Sequence, residues 1–231
     1  AVVSDWDGYK DTVRDGIDGF RIPTLMPQAG LGGDLALRHA LEIDTYDMYC
    51  GHTCSLVAVD VPAATDAFVR LFQSRELRQQ MGEAGRMRAQ EVFDWKNVIA
   101  QYEALWGQLD ELRAGHGSLQ ASPHPWPARL DPFHAFAAYP THSLTPQAVL
   151  ALADTDADAA LNRIQAYRRL AMVDFAKQVL PSETEIRVVL ATAASGPKAA
   201  AELIDGIPVE RRPFVFRCLA WLLKLGVLKL C

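Results

Sequence analysis

The sequence predicts an α/β fold followed by an all-α module, and three observations predict it. Over residues 1–115, short apolar runs alternate with helical patterns, the strand–helix–strand order from which parallel sheets with helical crossovers are built. Residues 116–143 are dense in proline, which excludes a long helix and marks a linker or a packed connecting arm. Residues 144–231 carry helical periodicity almost throughout.

Bulk properties narrow the classes of function. The 231 residues are half hydrophobic and 22% charged, enough to build a real core in one or two domains. A net charge of −5 gives no global reason to expect nucleic-acid binding. No apolar run approaches the roughly 18 residues of a spanning helix, and no basic-then-apolar leader is present. Cys50, Cys54, Cys218 and Cys231 are too few and too irregular for a disulfide scaffold, so a reducing cytoplasm is expected.

The elements follow in order. Ala1–Ser4 is a short strand, Tyr9–Arg14 one or two helical turns stopped by Gly16, and Gly19–Ile22 a second strand closed by Pro23. Gly16 and Gly19 bracket a tight return that calls for positive φ. "LVAVDV" over Leu56–Val61 reads as a strand buried on both faces. Pro62–Gln73 places Ala63, Ala67, Phe68, Leu71 and Phe72 at helical spacing. Arg75–Val92 is a charged helix with Leu77, Met81, Ala84 and Ala89 on one stripe. Asp94 caps a long helix bearing Val98, Tyr102, Leu105, Trp106, Leu109 and Leu112. Together these describe the tail of a doubly wound domain, with about three strands of what would be a larger sheet.

Several pieces then match one family in order: Ser4-Asp5 after a strand, Gly8 before "YKDTV", and "DGIDGFRIP" with Gly16, Gly19, Phe20 and Pro23. The helix pair "AFVRLFQSRELRQQMGEAGR" and "FDWKNVIAQYEALW" follow. Residues 1–113 thereby resemble the C-terminal part of the retaining GT-B glycosyltransferases, family 4 type. A bacterial segment of the pattern "DLALR.AL…YD.YCGHT" strengthens the resemblance. It implies a partial Rossmann-like domain and, in the intact enzyme, transfer of a sugar from a nucleotide diphosphate sugar to a glycan or lipid acceptor without a metal. The family's donor-site glutamates and acceptor domain would lie upstream, so this chain alone is expected to be inactive and to hold no catalytic residue and no cofactor. Ser4, Asp5, Asp7, Gly8 and Tyr9 are expected on the rim of the donor cleft, since ligands sit beyond the carboxyl ends of strands in open α/β sheets. Gly8 at the helix start would leave amide N–H groups free for an anion there; the alternative is that Asp5 and Asp7 only cap the following helix.

Three further stretches invite a reading. Residues 25–54 form a long insertion in which "AGLGGD" lacks the Lys-Ser/Thr of a phosphate loop, so a flexible loop leading into a helix over Asp34–Leu41 is expected. Cys50-Gly-His52-Thr-Cys54 offers three ligand types but no settled fourth, His39 being the nearest, and a turn before the "LVAV" strand is the simpler account. "DTDAD" at Asp154–Asp158 lacks the glycine and distal glutamate of a calcium loop and suits the start of a helix from Ala157 to about Val179.

From Pro181 the pattern is three helices, Glu183–Ala194, Pro197–Asp205 and Arg211–Leu225, then "GVLKLC" as the first strand of a wing whose second strand is missing. This order is similar to a winged-helix unit. Seven basic against five acidic residues and a third helix broken only by Arg211, Arg212, Arg217 and Lys224 disfavour DNA. A homodimer through the C-terminal helices is the expected use, with DNA contact by a non-enzymatic regulatory protein as the alternative. The expected location is the cytoplasm or a membrane periphery, without a transmembrane segment.

Overall fold

The computed structural model describes residues 1–117, 130–154 and 156–231. The chain begins with β1 (Val2–Ser4), α1 (Tyr9–Thr12), β2 (Phe20–Ile22) and β3 (Thr24–Pro27). It continues through α2 (Gly33–Ala40), α3 (Tyr46–Ser55) and β4 (Ala58–Val59). Three longer helices follow: α4 (Val61–Gln73), α5 (Arg75–Val92) and α6 (Trp95–Gly115). Next come α7 (Pro132–Ala135), β5 (His142–Leu144), β6 (Val149–Leu152), α8 (Ala157–Tyr167) and α9 (Ala171–Asp174). The last elements are α10 (Glu183–Ala193), β7 (Lys198–Ala199), α11 (Arg212–Lys224) and β8 (Leu228–Leu230). The fold is mixed α/β, in two compact units.

The first unit holds residues 1–4, 8–22 and 61–117 of those described. β1 and β2 pair in parallel, Val2 opposite Phe20 and Ser4 opposite Ile22, with α1 between them in sequence. Gly16, at φ +73°, turns the chain back, and its N–H donates to the Gly19 carbonyl at 2.8 Å. Gly19 is required for a different reason than the expected positive φ. A Cβ there would sit 2.6 Å from the Ala1 carbonyl oxygen and 2.9 Å from a Val13 methyl, so close approach excludes a side chain. Phe20, Ile22, Ala67 and Met81 form a small core, ringed by Val2, Ala63, Leu71 and Leu77. The Arg70 guanidinium lies 4.5 Å over the Phe20 ring. The capped helices form where their local signals place them: Ser74 accepts from the Leu77 N–H and Asp94 from the Lys96 N–H.

The second unit holds residues 5–7, 23–60 and the described residues from 130 onward. Here the sequence reading needs correction in several places. Residues 23–60 join this unit and not the preceding α/β stretch, because β3 is wholly buried and pairs with β4 on one side and β5 on the other. The β3–β5 pairing is parallel, Leu25 opposite His142, and the β3–β4 pairing antiparallel. The insertion expected over residues 25–54 therefore opens with a core strand before the expected loop leads into α2, and Leu25, Met26, Leu35 and Leu56 enter the same core as Phe133 and Leu144. The strand expected over Leu56–Val61 shrinks to Ala58–Val59. Leu56 and Val57 still donate to carbonyls of the α3 end, and Val61 already opens α4.

The C-terminal part is not all-α. β6 is the middle strand of an antiparallel sheet ordered β7-β6-β8, with Leu150 opposite both Lys198 and Leu230. The helix expected over Pro197–Asp205 is instead β7 and a single 3₁₀ turn at Glu202–Ile204. The helix expected from Ala157 to about Val179 breaks after Tyr167. Arg168 turns its guanidinium to the Pro181 carbonyl at 2.8 Å, and Ala176, Val179 and Leu180 fold back into the core. Ser182 and Glu185 close a reciprocal capping box on α10. Of the proline-dense arm, residues 118–129 lie outside those described. From Asp131 onward it is packed: Asp131 caps α7, and Phe133 is fully buried.

Candidate functional site

The stretch read as a cleft rim divides between the units: Ser4, Gly8 and Tyr9 belong to the first, Asp5 and Asp7 to the second. Ser4 ends β1, where the strand's carboxyl end would face a ligand. Gly8, and not one of the aspartates, is the N-cap residue of α1. Asp5 is engaged elsewhere. Its carboxylate accepts from the Thr141 hydroxyl at 2.7 Å and its carbonyl from the Thr24 hydroxyl at 2.9 Å. Beside it, Trp6 meets Tyr139 edge-on at 5.6 Å. Asp7 adopts φ +45°, a conformation that a short polar side chain tolerates better than most. Tyr9 is about half exposed.

The Cys-Gly-His-Thr-Cys motif lies on α3 and not in a turn, so Cys50 and Cys54, four residues apart, share one face while His52 points away from it. Among the described residues no group of three metal-ligating side chains converges. His52 does something else. Its ring is fully buried, stacked on Phe175 at 5.9 Å, with Nδ1 3.1 Å from an Asp44 carboxylate oxygen. Arg38 donates twice to the same carboxylate, each at 2.7 Å. Those bonds outweigh burial and, with His52, hold the Asp44 carboxyl below the usual carboxylate range. The pair is an oriented acid–imidazole dyad sealed from solvent, built to fix α3 against the end of α2. No spacing rule reveals it, because Asp44 and His52 meet through a turn.

A cleft of about 200 Å³ opens in the second unit, lined by Gly51, Cys54, Phe175, Trp221 and Lys224 among others. Gly51 makes room for Phe175, whose ring carbon would lie 2.9 Å from a Cβ. The Lys224 ammonium donates to the Cys54 carbonyl at 2.6 Å and so caps the C-terminal end of α3. Desolvation there holds its pKa below the usual lysine range. The lining contains no carboxylate or imidazole to serve as acid or base. The cleft can accommodate a small apolar group, and Cys54, Ser55 and Lys224 supply its polar lining.

The helix weighed for DNA contact or dimerisation is neither basic surface nor apolar surface. From Val215 to Leu222 every residue of α11 is buried, Arg217 included, against β3, β4 and β8. Arg217 forks onto the Asp34 carboxylate and donates to the Leu31 carbonyl at 2.7 Å. The acidic run at 154–158 is likewise structural: Asp156 caps α8 through the Ala159 N–H at 2.8 Å, and Asp154 pairs with Arg163. No helix among the described residues is long and apolar enough to cross a membrane. Compared with protein-family models, curated proteins and solved structures, the chain matches none.

Proposed function

We propose that the first unit is a Rossmann-like remnant of the donor domain of a retaining GT-B glycosyltransferase, and that the intact enzyme transfers a sugar from a nucleotide diphosphate sugar to a glycan or lipid acceptor. One observation carries this reading. The motif pieces that resemble the family fall in order on a parallel β1–α1–β2 crossover followed by three helices. That crossover puts Ser4 at a strand's carboxyl end, where open α/β sheets hold ligands. On this reading the rim residues contribute shape, and the donor-binding carboxylates and acceptor domain are supplied by sequence that the resemblance places upstream. In the second unit, β7-β6-β8 with α10 and α11 supports a winged-helix-like module in which β6 fills the central place of the sheet.

The test is titration with uridine and guanosine diphosphate sugars, of this chain and of the same chain extended upstream by one domain. Binding and transfer by the extended form, with none by this chain, is the expected result. An extended form that binds no nucleotide sugar overturns the reading. Duplex DNA serves as a second ligand. The regulatory alternative needs a readable helix face, and α11 is buried from Val215 to Leu222.

A further inference from the structure

We propose that Cys50 and Cys54 on α3 form a two-thiolate site for a soft monovalent ion, Cu(I). Four positions apart on one helix, the two side chains lie on successive turns of the same face. Both thiols are free, Cys54 exposed and Cys50 half-buried. Neither has a hydrogen-bond partner among the described residues, whereas the buried Cys218 thiol donates to the Val179 carbonyl at 3.7 Å.

Two free thiols placed in this way have few means of interacting. A disulfide needs β-carbons about 3.8 Å apart, and residues four apart on a helix hold theirs about 5–6 Å apart. The helix is held at both ends: Thr45 accepts from the Met48 N–H at its start, and Lys224 donates to the Cys54 carbonyl at 2.6 Å near its end. The backbone therefore does not close the gap. An ion between the sulfurs spans it, because two metal–sulfur bonds reach farther than one sulfur–sulfur bond.

The donor set selects the ion. Structural zinc takes four ligands and catalytic zinc three, and among the described residues no third His, Cys, Asp or Glu joins the pair. His52 stands between the cysteines in sequence, but its Nδ1 faces the Asp44 carboxylate at 3.1 Å. His39 turns its Nδ1 to the Asp44 carbonyl at 3.1 Å and stacks on Tyr49. What remains is sulfur at low coordination number, which suits Cu(I). Met172 brings a thioether to the cleft that Cys54 lines, and Phe175 and Trp221 give that cleft apolar walls. Binding exchanges two S–H bonds for two Cu–S bonds and releases two protons, so the bound unit carries one negative charge. The Lys224 ammonium beside Cys54 answers that charge, and the cleft contains no carboxylate to compete for it. The site lies in the second unit and does not depend on the nucleotide-sugar reading.

Anaerobic titration of the full chain with Cu(I), in competition with the chelator bathocuproine disulfonate, tests the proposal. One tightly held ion per chain is expected, and x-ray absorption at the copper edge should show sulfur neighbours alone. Cys54→Ser, at an exposed position, should leave the circular-dichroism spectrum unchanged and weaken binding more than about a hundredfold. Cys50→Ser should do the same, and Cys231→Ser should not. A chain that yields all its copper to the chelator, a Cys54→Ser variant that keeps the ion, or Zn(II) held as tightly as Cu(I) each overturn the proposal. So does copper ligated by nitrogen or oxygen.

Discussion

Arg217 is the most demanding side chain in the second unit, and removing its counterion tests how that unit is held. Its side chain is 2% exposed, its Nε has no hydrogen-bond partner among the described residues, and Phe214 lies 4.8 Å from the guanidinium. Its charge is answered by Asp34, 183 positions earlier, through both carboxylate oxygens, and by the Leu31 carbonyl. Asp34→Ala leaves the guanidinium buried with one neutral acceptor. Breaking a buried pair in this way costs about 3–5 kcal/mol. The Asp34 side chain is itself 48% exposed, so water can reach the vacated position. The expected loss is therefore about 2–3 kcal/mol. Arg217→Met should be far milder, within about 1 kcal/mol of neutral, because the stranded group is then a carboxylate with access to water. The double variant should recover most of what Asp34→Ala loses. Urea denaturation followed by circular dichroism gives the stabilities, and hydrogen exchange of the α11 amides assigns the transition to this unit. An Asp34→Ala loss below about 0.5 kcal/mol, or a larger loss for Arg217→Met, would refute the argument that the cost lies in an unanswered buried cation.

Two other predictions follow from the same coordinates. Asp44, bonded by Arg38, and Glu185, bonded by Arg211, both have carboxyls held below their ordinary range. Their stabilisation is complete above the unfolded values of about 4 and is lost as pH falls through the lower folded values. Stability measured by urea titration should therefore drop on acidification below about pH 4, and Asp44→Asn should flatten that drop while weakening the protein at neutral pH. Burial pushes the Cys218 thiol up to about 12, whereas Cys54 and Cys231 are exposed. Thiol titration with an aromatic disulfide should modify Cys54 and Cys231 at once and reach Cys218 only on unfolding; rapid labelling of Cys218 in the native chain would contradict its placement.

What was legible in the sequence is what is encoded locally. Ser74, Asp94, Asp156 and Ser182 each announce a helix, and each accepts the expected backbone N–H. The β1–α1–β2 crossover is also local, spanning 21 positions with a glycine turn. The misread elements depend on distant partners. β3 looks like the start of a loop because Pro23 precedes it and Pro27 ends it, and only β5, more than a hundred residues later, makes it a core strand. β7 is two residues inside a helix-like run, and β6 is the strand that pairs with it. Strands of two to four residues carry too little periodicity to be told from loops before their pairing is known. The Asp44–His52 and Asp34–Arg217 pairs were invisible for the same reason: each residue type is ordinary alone, and the pairing is tertiary.

The two most apolar helices show how far composition reaches. α11 and α6 both carry leucine and tryptophan at helical spacing. In α11 the apolar side chains extend around the whole circumference, and strands of two different sheets cover it, so even its arginine is taken inside. In α6 they keep to a stripe, with Lys96, Glu103, Asp110 and Glu111 on the remaining surface, and nothing among the described residues covers that stripe. A helix apolar all round must be buried by its own unit, since no orientation hides it in an interface. A striped helix can satisfy itself against a second surface.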